Sequence, residues 1–111
     1  MEDDDYEEEM DRLLESIVSQ IEEVDIKSTI DIDYDGEVLT LDTKEGQYII
    51  NKHNSAKQIW MVSPISGPHH FHISEEEWID DQDENILDIL TQEFTNHIKI
   101  KIQFTNLSLV L

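Results

Sequence analysis

The chain has 111 residues, carries 27 acidic against 7 basic side chains, and contains no cysteine. This length suffices for one domain with a single core, and the lack of cysteine excludes disulfides, thiolate metal sites and a cysteine nucleophile. A formal net charge of -20 repels the phosphates of nucleic acids and anionic lipids, so neither nucleic acid nor membrane is an expected partner, whereas cations and basic proteins are attracted.

The first predicted element is an amphipathic helix. Residues 1–5 are an acidic lead-in, which we expect to be disordered, and the single domain is expected over 6–111. Between Tyr6 and Val24 the apolar residues recur at steps of three and four, with no Pro or Gly, which indicates one helix face. These residues are Met10, Leu13, Leu14, Ile17, Val18, Ile21 and Val24. An acidic stripe, the acidic ridge, lies roughly 130° around the helix. It consists of Glu8, Asp11, Glu15 and Glu22.

Six strand patterns follow the helix. They alternate between apolar and polar residues or are rich in β-branched and aromatic residues, and short turns such as Asp35-Gly36 separate them. The six are "STIDIDY", "EVLTLDT", "GQYIINKH", "KQIWMVS", "HHFHI" and "EWI". Connections of hairpin length make the predicted sheet antiparallel.

A second helix is predicted after "DDQDEN". Its core face is Ile86, Leu87, Ile89, Leu90, Phe94 and Ile98. The tail from Ile98 to Phe104 alternates again and is either a last strand or the fraying end of this helix. Leu107, Leu109 and Leu111 are expected to cover a gap in the core.

The order of elements predicts an α+β fold. Both helices need a partner for their apolar faces, so the N- and C-terminal helices should pack on one face of an antiparallel sheet of about six strands, as a two-layer sandwich. The other sheet face is then open to solvent. No apolar run reaches the roughly 20 residues of a membrane helix, and "MEDDDYEEEM" lacks the Arg-rich pattern of a transit peptide.

Two short motifs have metal-binding alternatives. "DIDYDGEVLTLD", from Asp31 to Asp42, has the acids and glycine of an EF-hand calcium loop. Its flanks read as strands, so a β-hairpin is the preferred interpretation and a calcium-binding protein the alternative. "HHFH" offers imidazole ligands on one strand, against the plainer reading of a polar edge strand. No P-loop, GxGxxG or sequence pairing of a nucleophile with a base is present, so an enzyme for an organic substrate is not expected.

Strand alternation places a tryptophan on the open side of the sheet. If Tyr48 and Ile50 face the core, the residues between and after them, including Asn51, face solvent. The same rule on the next strand turns Ile59 inward and exposes Gln58, Trp60 and Val62. An exposed Trp among polar side chains is typical of an interface hot spot. The alternative is a register shifted by one residue, with Trp60 in the core.

The stretch from Tyr48 to Pro68 resembles a known family. "YIINKHNSAKQIWMVSPISGP" is similar to the signature of the frataxins, in which an Asn-Lys-Gln turn precedes a Lys-Gln-Ile-Trp strand and a Ser-Gly-Pro loop. The similarity extends from Tyr6 to Ile98, and the loop resembles that of the eukaryotic, mitochondrial-type branch. The family fold is the sandwich predicted above.

The resemblance implies an iron-binding regulator of iron–sulfur cluster assembly. Such a protein binds the cysteine desulfurase–scaffold complex, stimulates it, and binds Fe²⁺ or Fe³⁺ weakly, without an organic cofactor; delivery of Fe²⁺ is a further role in the family. The alternative is an iron-storing or ferroxidase-type protein acting through the acidic ridge. The implied location is the mitochondrial matrix or a mitochondrion-derived organelle. A monomer is expected, with iron-dependent oligomers as the alternative.

The resemblance to the frataxins also implies which residues of this chain form functional sites. The implied iron ligands are Glu8, Asp11, Glu15, Glu22, Glu23, Asp25, Asp31 and Asp33. The partner-binding residues expected from strand alternation and the resemblance are Ile49, Asn51, His53, Gln58, Trp60, Pro68 and His70. The metal-binding alternative for "HHFH" would be a secondary site at His69, His70 and His72, which the motif suggests and the resemblance does not. Trp78 corresponds to a further family Trp.

The sequence also departs from the family pattern. His53 replaces a usual Gln, Ala56 a usual Asn, and Ile73 an aromatic residue, while His69 and His70 replace basic residues. Because histidine is only partly protonated near neutral pH, binding of an acidic or thiolate-bearing partner at this edge is expected to be weaker or pH-dependent.

Overall fold

Two helices and six strands follow one another in the predicted order. The computed structural model describes residues 2–105. Its elements are α1 (Asp3–Val24), β1 (Asp31–Tyr34), β2 (Val38–Thr43), β3 (Gly46–His53), β4 (Gln58–Ser63), β5 (Gly67–Ser74), β6 (Glu77–Ile79) and α2 (Ile86–Glu93), with a 3-10 turn at Asn54–Ala56 and a π-helical turn at Phe94–Ile98. The strands form one antiparallel sheet in sequential order, which confirms the predicted sandwich. No helix in this described range is both long and apolar enough to span a membrane.

Helix α1 begins earlier than predicted. It starts at Asp3 and not at Tyr6, so the helix includes residues 3–5 of the acidic lead-in. The backbone N–H of Glu2 donates to the Asp5 carboxylate at 3.2 Å, which satisfies one donor at the helix start. Acidic residues in a first turn are further stabilised by the positive end of the helix dipole. The charge run that suggested disorder therefore favours the helix here.

The core lies between the two helices and one sheet face. The apolar residues of α1 are buried as predicted from Met10 to Ile21, except that Val18 is only partly buried, whereas Val24, in the last turn, is 39% exposed. They pack with α2 against alternate residues of the central strands. These sheet residues are Leu39, Leu41, Tyr48, Ile50, Ile59, Met61 and Phe71, each no more than 1% exposed. Full burial of such a side chain stabilises the fold by about 1.5–3 kcal/mol.

The tail after α2 is neither the predicted strand nor a frayed α-helix. The π-helical turn ends at Ile98 and is followed by Lys99, whose φ is 67°, and residues 100–105 have no regular structure. Ile102 and Phe104 are nevertheless buried, and the Thr105 N–H donates to the Gln20 side chain at 2.8 Å. The tail thus closes one end of the core between α1 and α2. Leu107, Leu109 and Leu111 lie outside the described residues.

The EF-hand-like sequence is a β-hairpin. Residues 31–34 and 38–43 are paired strands, with Asp31 opposite Asp42. The Asp35 carboxylate accepts the backbone N–H groups of Glu37 and Val38 at 2.8 Å, and these bonds lower the pKa of Asp35. Gly36 has a φ of 96°, a conformation that favours glycine. Since no helix enters or leaves this turn, the calcium-loop alternative is wrong.

Candidate functional site

The candidate docking surface is the sheet face that the helices leave uncovered. Cross-strand pairing places Trp60 on β4 between Asn51 on β3 and His70 on β5. Trp60 is partly exposed and does not belong to the core, so the predicted register is confirmed. We define the open sheet face by its central residues. They are Ile49, Asn51, His53, Gln58, Trp60, Val62, Pro68 and His70.

An exposed apolar row runs beside Trp60. Val62 lies between Ile49 and Pro68 in the cross-strand register. Val62 is 50% exposed and Ile49 is 40% exposed. Contiguous exposed apolar side chains on a soluble domain are typical of interaction sites. Strand alternation predicts Val62 on this face, although the partner-binding residues expected from the sequence do not include it.

Trp60 is the centre of a three-ring stack. The His53 ring lies 3.9 Å from the indole at an interplanar angle of 15°, and the His70 ring lies 4.2 Å away at 10°. The indole N–H donates to the Gln58 side chain at 2.6 Å. Both faces of the indole are therefore covered by imidazole rings. The stack fixes the orientation of Trp60 in the unbound protein, and a side chain ordered in this way would lose little entropy if a partner bound it.

The open sheet face has no permanent positive charge. Lys52 is the only Lys or Arg in the six described strands, and it is buried on the helix side, where its Nζ contacts Asp11. His53 is a partly buried neighbour of Trp60, and its Nδ1 is buried without a hydrogen-bond partner. His53 therefore contributes ring stacking on Trp60 and makes no hydrogen bond at this atom.

Most of the implied iron ligands are exposed carboxylates along α1 and β1. The exposed members are Glu8, Glu15, Glu22, Glu23, Asp31 and Asp33. Across residues 2–105, no three His, Asp or Glu side chains are placed to hold one metal ion. Carboxylate oxygens suit iron and other hard cations, but an open arrangement without a closed set of ligands fits weak binding with poor selectivity.

Asp11 has a structural role that its place on the acidic ridge did not reveal. One of its oxygens accepts from Lys52 at 2.6 Å and from the Tyr34 hydroxyl at 2.8 Å. Partial burial raises the pKa of Asp11, but the hydrogen bonds from Lys52 and Tyr34 outweigh it and the pKa is lowered. Asp11 therefore ties α1 to β1 and β3, and is less available to a metal than its exposed neighbours.

The carboxylate of Asp25 is also engaged in hydrogen bonds within the fold. Its carboxylate accepts the Thr29 N–H at 2.9 Å, the Thr29 hydroxyl at 2.7 Å and the Ile30 N–H at 2.8 Å. These bonds lower the pKa of Asp25 against the opposing effect of desolvation. The residue orders the connection from α1 to β1, so both of its oxygens are occupied.

The three histidines of "HHFH" do not form one metal site. His70 and His72 lie on the open side of β5, and both are exposed. His69 points to the helix side, where it contacts Ser66 and Asp80. Strand alternation separates His69 from the other two, and the expected secondary metal site is not present as one cluster.

A buried carboxylate lies beneath the β4–β5 loop, residues 64–66. Glu93 on α2 is 7% exposed and accepts the hydroxyls of Tyr48 at 2.8 Å, Ser63 at 2.5 Å and Ser66 at 2.5 Å. Burial, followed by the contact with Glu93, raises the pKa of Tyr48, which keeps its hydroxyl protonated as a donor. No local sequence pattern indicates this cluster, because Glu93 is 27 residues from Ser66 and 45 from Tyr48.

Ser66, His69 and Asp80 are hydrogen-bonded in series, a nucleophile–base pairing that the sequence did not indicate. Ser66 Oγ lies 2.7 Å from His69 Nε2, and His69 Nδ1 lies 3.3 Å from Asp80 Oδ2. Ser66 Oγ is also 2.5 Å from Glu93. A nucleophilic serine must give its proton to the histidine, and here the carboxylate competes for that proton. The arrangement therefore suits a structural link better than a hydrolytic site.

The chain matches a known family in sequence comparisons. A model described as a frataxin-like domain matches residues 1–100. The mitochondrial frataxin homolog of Schizosaccharomyces pombe is 39% identical over 99 residues, covering 86% of this chain and 62% of the relative. That of Saccharomyces cerevisiae is 37% identical over 92 residues, covering 81% and 51%. A mitochondrial frataxin-like protein of Leishmania donovani is 44% identical over 62 residues, covering 55% and 33%. The chain thus spans between one third and about three fifths of these relatives.

Solved structures give the same match. A frataxin from Psychromonas ingrahamii superposes with a TM-score of 0.82 at 28% identity, covering 96% of this chain and 100% of that one. A trimeric frataxin from Saccharomyces cerevisiae, described as complexed with ferrous, superposes with a TM-score of 0.68 at 33% identity and covers 86% of each chain.

Proposed function

We propose a function for this chain from the premise that it belongs to the frataxin family. The proposal is an iron-binding regulator of iron–sulfur cluster assembly, which docks on the cysteine desulfurase–scaffold complex and stimulates it. The relatives are named as mitochondrial proteins, which supports a mitochondrial location for this chain. Family membership supports a general role in iron metabolism, and the docking step is the finer part of the proposal.

The observation that carries the proposal is the open sheet face. The Trp60 ring is held between the stacked rings of His53 and His70. It lies beside the exposed apolar row that contains Val62. Neither helix covers these side chains, and none of them contributes to the core. A preorganised aromatic residue with apolar neighbours and polar groups around it is the composition of a protein–protein hot spot.

A charge placed on this face should prevent docking. Val62→Glu adds one carboxylate in the exposed apolar row, and Gln92→Glu adds one on the exposed side of α2. Both positions are exposed, so both variants should fold and carry the same net charge. We expect Val62→Glu to weaken binding to the immobilised desulfurase–scaffold complex at least tenfold, and Gln92→Glu to change it less than twofold. Equal binding by both variants would show that the docking surface does not lie on the open sheet face.

Iron binding is assigned to the exposed carboxylates of α1. Neutralising Glu8, Glu15, Glu22 and Glu23 to glutamine removes four charges without touching the core. The matched control neutralises four exposed glutamates elsewhere, Glu37, Glu45, Glu75 and Glu77. In an anaerobic Fe²⁺ titration, the α1 variant should bind several-fold more weakly than the control. Equal losses in both would show that net charge alone, and not the position of the carboxylates, attracts the cation.

A second candidate function is iron storage or oxidation by an oligomer. The observation that favours it is the trimeric, ferrous-complexed yeast relative. Sedimentation with increasing Fe²⁺ separates the two candidates. A chain that remains monomeric at several equivalents of iron supports the regulator, whereas growth into iron-loaded oligomers supports storage.

A further inference from the structure

We infer that Glu93 is a positioning residue for docking, which fixes the β4–β5 loop from the helix side of the sheet and so sets the place of Pro68 in the exposed apolar row. The inference rests on the proposed docking function. It adds to that function a buried residue that does not itself touch the partner. The part that concerns the loop can be tested on the isolated protein.

Glu93 contacts three separate parts of the sheet layer. It is the last residue of α2 and is 7% exposed. Its Oε1 accepts the hydroxyl of Tyr48 on β3 at 2.8 Å and that of Ser63, the last residue of β4, at 2.5 Å. Its Oε2 accepts the hydroxyl of Ser66 in the loop at 2.5 Å. Because buried hydroxyls without an acceptor destabilise a fold, these contacts hold the loop against α2.

Ser63 extends the hold of Glu93 to the backbone of the loop. Its hydroxyl donates to Glu93 and accepts the backbone N–H groups of Ile65 at 3.0 Å and Ser66 at 3.1 Å. A hydroxyl has one hydrogen and two lone pairs, so with its hydrogen on Glu93 the Ser63 oxygen turns its lone pairs to the loop. Glu93 therefore holds the loop twice, through the side chain of Ser66 and through the oxygen that binds the loop backbone.

The start of the loop has a second support. Pro64 packs so closely on Gly46 that a Cβ atom at Gly46 would lie 2.8 Å from the Cβ of Pro64. Gly46 is held in turn by the Thr43 hydroxyl, which donates to its carbonyl at 2.7 Å. The loop is thus fixed at Pro64 by packing and at its following residues by hydrogen bonds that lead to Glu93.

The loop determines where the exposed apolar row ends. Gly67 follows the loop with a φ of 85°, and the next residue, Pro68, pairs with Val62. Proline has no N–H to donate to the strand ladder, so the position of Pro68 beside Val62 depends more on the turn that leads into it. Pro68 is exposed. Loosening the loop therefore displaces the edge of the docking surface without removing any of its side chains.

Glu93→Gln and Glu93→Met separate hydrogen bonding from packing. In Glu93→Gln the amide oxygen still accepts from Tyr48 and Ser63, and the amide N–H donates to the Ser66 oxygen, so all three contacts persist. Methionine has a similar length, but its thioether is only a weak acceptor, so Glu93→Met leaves the three hydroxyls without their partner.

The two variants are compared by titrating the stimulation of sulfide production by the desulfurase–scaffold complex. The concentration that gives half-maximal stimulation should rise several-fold for Glu93→Met with the maximal rate unchanged, because the loop must then be ordered on binding. Glu93→Gln should stay within twofold of the wild type. A wild-type response of Glu93→Met, or an equal loss in both variants, would overturn the inference.

Ser63→Ala tests the same link should Glu93→Met fail to fold. Ser63 is 4% exposed, so the variant alters the loop and not the surface that a partner touches. The matched control is Ser16→Ala on α1, a partly buried serine whose hydroxyl accepts from Gln20 at 2.9 Å. Ser63→Ala should raise the half-maximal concentration several-fold and Ser16→Ala should leave it unchanged. Equal responses of the two variants would contradict a role of the loop in docking.

Hydrogen exchange on the isolated protein tests the hold on the loop without any partner. The amides of Ile65 and Ser66 should be protected in the wild type and in Glu93→Gln, and should exchange several-fold faster in Glu93→Met. The amides of Ile59 and Met61 in central β4 report on the whole fold and should change much less. Unprotected loop amides in the wild type, or equal acceleration in loop and strand, would overturn the positioning by Glu93. If the wild type does not bind the complex, the proposed docking function fails, while exchange still decides whether Glu93 fixes the loop.

Discussion

Trp60→Ala is expected to weaken binding of the desulfurase–scaffold complex by roughly 2 kcal/mol or more, about 30-fold, with the domain still folded. The loss is large because Trp60 is the central side chain of the open sheet face and is already held in place by His53 and His70. Folding should change by only about 1 kcal/mol, since the residue contributes ring stacking and not core packing. Calorimetric titration of wild type and variant measures the difference in binding free energy.

Fluorescence separates a folded variant from a misfolded one. The Trp60 contribution, obtained as wild type minus Trp60→Phe, should be red-shifted in the free protein and move to shorter wavelength in the complex. Trp78, only 3% exposed, remains in both proteins as an internal reference for the fold. A Trp60→Ala protein that unfolds, or one that binds as tightly as the wild type, would show that Trp60 is not the docking anchor.

Asp11→Ala is expected to destabilise the fold by about 2–4 kcal/mol, although Asp11 lies on the acidic ridge. Lys52 is 3% exposed at its side chain, and its Nζ contacts Asp11 at 2.6 Å. Removal of the carboxylate leaves this ammonium without that partner and deprives the Tyr34 hydroxyl of its acceptor. The matched control is Glu15→Ala, one turn further along α1 and exposed, which should change stability by less than about 0.5 kcal/mol. Chemical denaturation of both variants measures the free energy of unfolding.

The charge pair can be isolated by a second substitution. Asp11→Ala combined with Lys52→Met replaces the pair by apolar groups and should recover most of the lost stability. Because the pKa of Asp11 is lowered in the folded state, its contribution is present above the ordinary carboxylate range near pH 4 and is lost as the pH falls below it. If Asp11→Ala were as stable as Glu15→Ala, Lys52 would have found another acceptor, and Asp11 would be free to bind metal as first expected.

Local periodicity accounts for what could be predicted from the sequence. The three-and-four spacing in α1 and the strict alternation in β3 and β4 identify each buried face, which is why the register of Trp60 could be predicted. The start of α1 at Asp3 could not be predicted, because an acidic run is compatible both with disorder and with a favourable helix N-terminus.

Contacts between the helix layer and the sheet could not be predicted, because they leave no local pattern in the sequence. Asp11 and Lys52 are 41 residues apart, and their pairing depends on how α1 lies across the sheet. The same holds for Glu93 beneath the β4–β5 loop and for His69 beside Asp80. A polar residue on a predicted outer stripe can therefore be a structural anchor, and only the packing of the layers distinguishes it from a free ligand.

Under the proposed function, this domain stimulates the desulfurase–scaffold complex through its open sheet face. The most direct measurement is the rate of sulfide production by that complex with no addition, with the wild-type chain, and with Trp60→Ala at a concentration where the wild type saturates. We predict that the wild type accelerates the reaction and that Trp60→Ala leaves it near the unstimulated rate. No acceleration by the wild type, or equal acceleration by the variant, would contradict this account.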